Sequence, residues 1–221
     1  MDRLTLLRSI AWLAQRDRTG PIRDDWGRSR GTPVDRWYIE RFLAAHSSDI
    51  TGDVLEVMDD RYTRMFGTNV SSTRVLDVEA ANSSASLIAD LESPNAIPAA
   101  AFDCVLITQT LHYVLDVRTA VASIFRGLRP GGTCLATVPI ISPLDAGARP
   151  AGEYWRLTQH ACRRIFGEAF GPEQVEVGAP GNARAAVAFL LGLAAEELDE
   201  RELTASHERF PLVATIRAAK R

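Results

Sequence analysis

With 221 residues, 46% of them hydrophobic and 24% charged, the chain has the composition of an ordinary soluble globular protein long enough for a full core. A formal net charge of −3 builds in no general attraction to phosphate backbones or anionic membranes. No apolar run approaches the ~20 residues of a bilayer span, and no secretory leader pattern is present. The expectation is a cytoplasmic protein with neither nucleic acid nor membrane as partner.

In chain order, Leu4, Leu7, Ile10, Ala11 and Ala14 recur at helical spacing with charges between them. A breaker-rich stretch comes next, and Thr32 and Pro33 read as the N-cap and first position of a helix carrying Ile39, Phe42 and Leu43 on one face. The chain then alternates. Strands are expected at Val54–Met58, Arg74–Val78, Asp103–Thr108 and Thr133–Val138, with a helix from Val117 to Leu128 capped by Asp116 and closed by Arg129-Pro130-Gly131-Gly132. A helix from Gln159 to about Phe166 with Thr158 as cap, a strand Gln174–Val177, a long helix from Ala183 to about Leu198 and a last strand Pro211–Arg217 complete the pattern. In the long helix Val187, Leu190, Leu191, Ala194 and Leu198 form an apolar stripe, read as core with a homodimer face as the alternative. Strands alternating with helices argue for an α/β, doubly wound, mostly parallel sheet. The expected division is an N-terminal helical cap over residues 1–50 and a core over 51–221, with a loop at 139–157 and a helical insertion at 182–205. Cys104, Cys134 and Cys162 match no zinc spacing and read as core thiols, and no histidine pairing suggests a metal.

The segment from Phe102 to Pro139, FDCVLITQTLHYVLDVRTAVASIFRGLRPGGTCLATVP, carries a resemblance. Its Phe-Asp strand, Leu-His turn, amphipathic helix, Arg-Pro-Gly-Gly turn and second apolar strand resemble the class I S-adenosylmethionine-dependent methyltransferases. That resemblance implies a Rossmann-like seven-stranded sheet whose last strand is antiparallel, with S-adenosylmethionine as cofactor and S-adenosylhomocysteine as product. Carried over position by position, Glu56 matches the acid of the family's first motif, with Met58, Asp60 and Tyr62 where its glycines stand. Glu79, with Asp77 as the alternative, corresponds to the ribose-binding carboxylate, and Asp90 with Leu91 to the adenine contact. Thr108 and Gln109 correspond to residues beside the methionine portion. Asp59 and Tyr38 complete the expected cofactor set. The segments WGRSRGTPVDRWYIERFL, YTRMFG, EYWRLT and GNARAAVAFLLGLAAEEL also resemble a group of small bacterial proteins associated with polysaccharide or secondary-metabolite pathways, in which Met58-Asp59 would be Gly-Asp.

The glycine-poor loop separates cofactor classes. Glycines let a backbone approach a pyrophosphate, whereas Asp59 and Asp60 would repel one by roughly 4 kcal/mol per charge pair at ~4 Å before screening. S-adenosylmethionine has no phosphate, and its sulfonium and ammonium favour nearby carboxylates. Met58 is the awkward residue, because a side chain there takes positive φ only at a cost. The expected acceptor is a small molecule, a sugar or secondary-metabolite hydroxyl, with His112 as candidate base because its intrinsic pKa suits proton transfer near neutrality. Asp145, Glu153, Tyr154 and Trp155, in the loop after Pro139, are the candidate acceptor contacts, with anchoring of the loop onto the sheet by Tyr154 and Trp155 as the alternative. Trp26, Arg28, Arg30, Arg36 and Trp37 are read either as partners for an anionic group or as core aromatics with a charged face. The alternative to an enzyme is a non-catalytic relative with a degenerate cofactor loop.

Overall fold

The computed structural model describes residues 19–145 and 152–221, so the N-terminal helix expected over Leu4–Ala14 lies outside the described residues. Seven strands form one sheet: β1 (Gly52–Val57), β2 (Val70–Asp77), β3 (Leu87–Ile88), β4 (Phe102–Thr108), β5 (Leu128–Pro139), β6 (Val175–Gly178) and β7 (Val213–Ala219), in the order β3-β2-β1-β4-β5-β7-β6. The first five pair in parallel, and β7 runs antiparallel to both its neighbours, β5 and β6. Strand order reverses between β1 and β4, the place where open α/β sheets form a ligand crevice outside the strands' carboxyl ends.

The central strands bury both faces, as side chains alternating across a parallel sheet must. Leu55, Val105 and Ile107 enter a cluster with Val121 and Ile124 of α3 (Val117–Gly127) and Phe166 of α4 (Gln159–Phe170). Val54, Cys104, Leu106 and Leu135 enter the opposite cluster with Val34, Ile39 and Leu43 of α1 (Val34–Ala45). Phe189 of α5 (Ala183–Leu190) packs there too. Between β1 and β2 lies the short α2 (Arg61–Phe66), and α6 (Glu200–Thr204) precedes β7. The three cysteines are buried free thiols, and burial pushes the Cys104 and Cys134 thiols far up.

Asp116 and Thr158 each accept a bond from the backbone N–H three residues on, at Thr119 and Ala161, so the caps of α3 and α4 stand where the sequence puts them, and Asn182 caps α5 in the same way through the Ala185 N–H. Other expectations are corrected. Pro33, not Thr32, caps α1, because the Thr32 N–H and Oγ1 both donate to Glu196 at 2.9 and 2.7 Å. The long helix stops at Leu190: Gly192 turns at φ +73°, where a Cβ would lie 2.0 Å from the Arg23 carbonyl oxygen. The buried face of α5 is Ala185, Ala186, Ala188 and Phe189, while Val187 and Leu190 are exposed, so the expected apolar stripe does not face the core over that stretch. The two-residue β3 has no counterpart among the expected strands.

Candidate active site

At the carboxyl end of the sheet, over the β1/β4 reversal, lies a cavity of about 750 Å³, a size typical of small-molecule sites. Its floor is the end of β1. Glu56 is buried there and braces the start of α2. Its two oxygens accept from the N–H groups of Tyr62 (3.0 Å) and Thr63 (2.8 Å) and from Thr63 Oγ1 (2.7 Å). The first-turn donors of α2, which a six-residue helix cannot satisfy internally, are thereby taken up. Burial pushes the Glu56 carboxyl up, against the opposing pull of the Thr63 and Tyr62 bonds.

Met58 then turns the chain at φ +74° with its side chain 61% exposed. Its N–H donates to the Leu76 carbonyl at 2.9 Å and its own carbonyl accepts from Asn82 Nδ2 at 2.7 Å. Asn82 Nδ2 also donates to Asp77 Oδ2 at 2.7 Å, so one amide ties the tips of β1 and β2. The loop therefore does adopt the left-handed conformation that a glycine would give it freely, at a cost of about 1 kcal/mol. Because the Met58 side chain is largely exposed, Met58→Gly forfeits little packing. It should raise stability by about 1 kcal/mol, a gain of roughly 2–4 °C in melting temperature, measured by thermal denaturation. No gain would mean that the loop relaxes around Met58 without strain.

Two more non-glycine residues with positive φ stand on the same wall, Gln109 (+46°) at the tip of β4 and Trp26 (+60°) on the lip. Strained backbone of this kind gathers at ligand sites. The Gln109 N–H donates to the Thr137 carbonyl at 2.9 Å, and its Nε2 is closed off from solvent without a partner. Asp35, in the first turn of α1, likewise presents Oδ1 closed off and unpartnered on the wall. Burial pushes its carboxyl up, only partly opposed by Arg36 and Arg28. Arg36 Nη1 donates to Tyr62 Oη at 2.7 Å, and Arg28 lies over the Trp26 ring.

The structure brings Glu56, Met58, Asp59, Tyr62, Glu79, Thr108, Gln109, His112 and Asp145 to one cavity. Asp59 is held by Arg61, whose N–H donates to Oδ1 at 3.0 Å. Asp77 is on the wall, but its Oδ1 accepts from the Glu79 N–H at 3.0 Å and its Oδ2 is taken by Asn82, which leaves Glu79 as the exposed carboxylate at the end of β2. Five expected contacts lie elsewhere. Tyr38 is buried in the core and its hydroxyl donates to the Leu203 carbonyl at 2.8 Å. Asp90 Oδ1 caps its own turn at the Glu92 N–H, and Leu91 belongs to the core. Tyr154 and Trp155 are off the wall: their N–H groups donate to the His112 carbonyl, and Trp155 Nε1 donates to the Val114 carbonyl at 2.9 Å. Those aromatics fasten the loop. Asn82, Tyr113 and Asp35 join the wall with nothing in their local sequence to mark them. Arg30 pairs with Glu197, away from the cavity.

His112 sits in the short turn Leu111–Tyr113 after β4, buried, with Nε2 3.7 Å from Glu153 Oε1. Tyr113 Oη donates to Asp145 Oδ2 at 3.1 Å, and burial together with Asp145 and Glu153 pushes the phenol up. Among the described residues, no group of three or more His, Cys, Asp or Glu side chains gathers to hold a metal ion, and no helix is long and apolar enough to cross a membrane.

With this geometry in view, residues 50–136 match the family model of a methyltransferase domain. The fold is that of the S-adenosylmethionine-dependent methyltransferases. A methyltransferase of that kind from Mesorhizobium loti is similar over 85% of this chain and 100% of its own, at 16% identity and a TM-score of 0.54. The N-methyltransferase NodS from Bradyrhizobium japonicum WM9, in complex with S-adenosyl-L-homocysteine, is similar over 90% of this chain and 93% of its own (16% identity, TM-score 0.53). The [4+2]-cyclase SpnF is similar as well, over 86% of this chain and 83% of its own, at 17% identity and a TM-score of 0.55. Comparison with curated protein sequences gives no match.

Proposed function

We infer that the protein is an S-adenosylmethionine-dependent methyltransferase acting on a small molecule, with the hydroxyl of a sugar or secondary metabolite as acceptor. The observation that carries this reading is the cavity over the β1/β4 reversal, on whose floor the loop after β1 takes, at Met58 with φ +74°, the left-handed course that a glycine adopts freely. The wall chemistry supports it. Asp35, Glu56, Asp59, Asp77, Glu79, Asp145 and Glu153 outnumber Arg28, Arg36 and Arg61, which suits a sulfonium and an ammonium and disfavours phosphate-bearing ligands. Glu79 holds the ribose hydroxyls, Gln109 Nε2 faces the methionine end, and His112 takes the acceptor proton. Residues 19–33 and the limbs of the 139–157 loop border the acceptor side, the part that the cap of the expected domain plan plays. The affinity with the polysaccharide or secondary-metabolite group belongs to the same proposal.

Calorimetric titration with S-adenosylmethionine, S-adenosylhomocysteine and NAD tests it. Binding of the first two and not of NAD is the expected result. In the same assay Glu79→Ala should weaken both by about tenfold, near 1.4 kcal/mol, without loss of thermal stability. Unchanged affinity would move the ribose contact to Asp77. A second reading, a chain of this fold that transfers no methyl group, is favoured by Met58 itself, and absence of binding by all three ligands would put it first.

A further inference from the structure

We propose that Glu153 is the positioning residue of His112, delivered by the returning limb of the loop after β5 to hold the imidazole and to stabilise its protonated form. The inference rests on His112 as the base of the proposed methyl transfer and adds the group that makes a buried histidine serviceable there. Burial disfavours an imidazolium, so a base closed off from water needs an anion beside it. His112 and Glu153 side chains are 5% and 3% exposed, and their facing atoms are 3.7 Å apart, ion-pair rather than hydrogen-bond distance.

The loop is built to keep that carboxylate in place. Its returning limb is fastened to the histidine's own turn, where the Tyr154 N–H donates to the His112 carbonyl at 2.8 Å and the Trp155 indole N–H to the Val114 carbonyl. The outgoing limb is tied to the same carboxylate, with the Asp145 N–H donating to Glu153 Oε1 at 3.0 Å. Arg156 pairs with Glu153 Oε2 and also donates to the Pro143 carbonyl at 3.0 Å, closing both limbs around one charge. Among the described residues, the Tyr113 ring centroid lies 4.1 Å from that of His112, Asp145 is reached through the Tyr113 hydroxyl, and Glu56, Asp35 and Arg36 line the same cavity.

Bound S-adenosylmethionine would supply the methyl group, the acceptor O–H bond breaking as the O–CH₃ bond formed and the C–S bond broke to leave a neutral thioether. His112 would take the acceptor proton and hold it as an imidazolium facing Glu153 until it is released when the products leave. Glu153 touches no reacting atom; it acts through the imidazole.

The test is the titration of His112 followed by NMR of histidine-labelled protein. In Glu153→Gln the His112 midpoint should fall by about 1 pH unit or more, while those of His46, His160 and His207 should stay. Glu153→Asp, which keeps the charge, should retain most of the wild-type midpoint. Where Glu153→Gln does not fold, Arg156→Gln serves, because it leaves the carboxylate and removes the opposing charge, and His112 should then titrate higher. A His112 midpoint that ignores Glu153→Gln, or that fails to rise in Arg156→Gln, overturns the proposal. Neither measurement needs turnover, so a failed coupling is distinguishable from a failed assignment of the base.

Discussion

Glu56→Ala is expected to destabilise the protein by roughly 3 kcal/mol and to abolish binding of S-adenosylhomocysteine. The substitution leaves two buried N–H groups and a threonine hydroxyl without their acceptor, and each such orphan costs about 1–3 kcal/mol. Partial unwinding of the six-residue α2 into water offsets some of that. For a chain of this length the loss should appear as a drop of roughly 6–12 °C in melting temperature. Binding fails for a related reason: the bracing of α2 sets the course of Met58 and Asp59, which form the cavity floor. Glu56→Gln should cost about half as much, since the amide keeps one acceptor oxygen and Thr63 Oγ1 can accept from its NH₂. The pH dependence has a definite sign. Burial raises the folded-state pKa of Glu56 above its unfolded value, so its favourable contribution is complete below the ordinary glutamate range and is lost as pH rises through the shifted value. Glu56→Gln should flatten that part of the stability profile. Wild-type melting temperature and ligand affinity in the alanine variant would remove Glu56 as the brace of the loop.

His112→Ala carries the largest expected effect on catalysis, a fall in methyl transfer of about a hundredfold or more once an acceptor is in hand. The affinity for S-adenosylhomocysteine should be unchanged. General-base help matters when the nucleophile is a hydroxyl, which is far too weak an acid to ionise on its own near neutrality. Single-turnover rates measured from about pH 6 to 9 would show the loss concentrated in the limb governed by the imidazole. Near-full turnover in the variant would mean either an acceptor that is already ionised or an amine that needs no base in the transfer step. Both outcomes narrow the acceptor's chemistry.

Much of the fold was legible because its signals are local. Short apolar runs bounded by turn residues marked the long strands, and Asp116 and Thr158 announced their helices through cap chemistry that needs only three residues of context. The failures share a cause. Leu87–Ile88 is too short to show any period. The helix end at Leu190 is set by the approach of the distant Arg23 backbone to Gly192, a contact that helix propensity cannot report. In α5 the side that packs inward carries Ala185, Ala186, Ala188 and Phe189, not the branched Val187 and Leu190. The site divides the same way. Residues at strand tips, Glu56, Glu79, Thr108 and Gln109, reached the cavity because strand ends position them. Tyr38, Tyr154 and Trp155 did not, because each uses its polar atom to fasten one backbone segment to another.

The sheet's two margins bear on how copies of this chain meet. One outer strand, β3, has two residues, and the other, β6, has four, with Glu176 held by Arg217 of the adjacent strand. Neither offers a long run of unpaired amides to an incoming strand, and short, charged edges are the common protection against growth of a sheet from molecule to molecule. Crowded samples of the folded protein should therefore resist fibrillar association through these edges, while Val187 and Leu190 meet solvent on a helical flank.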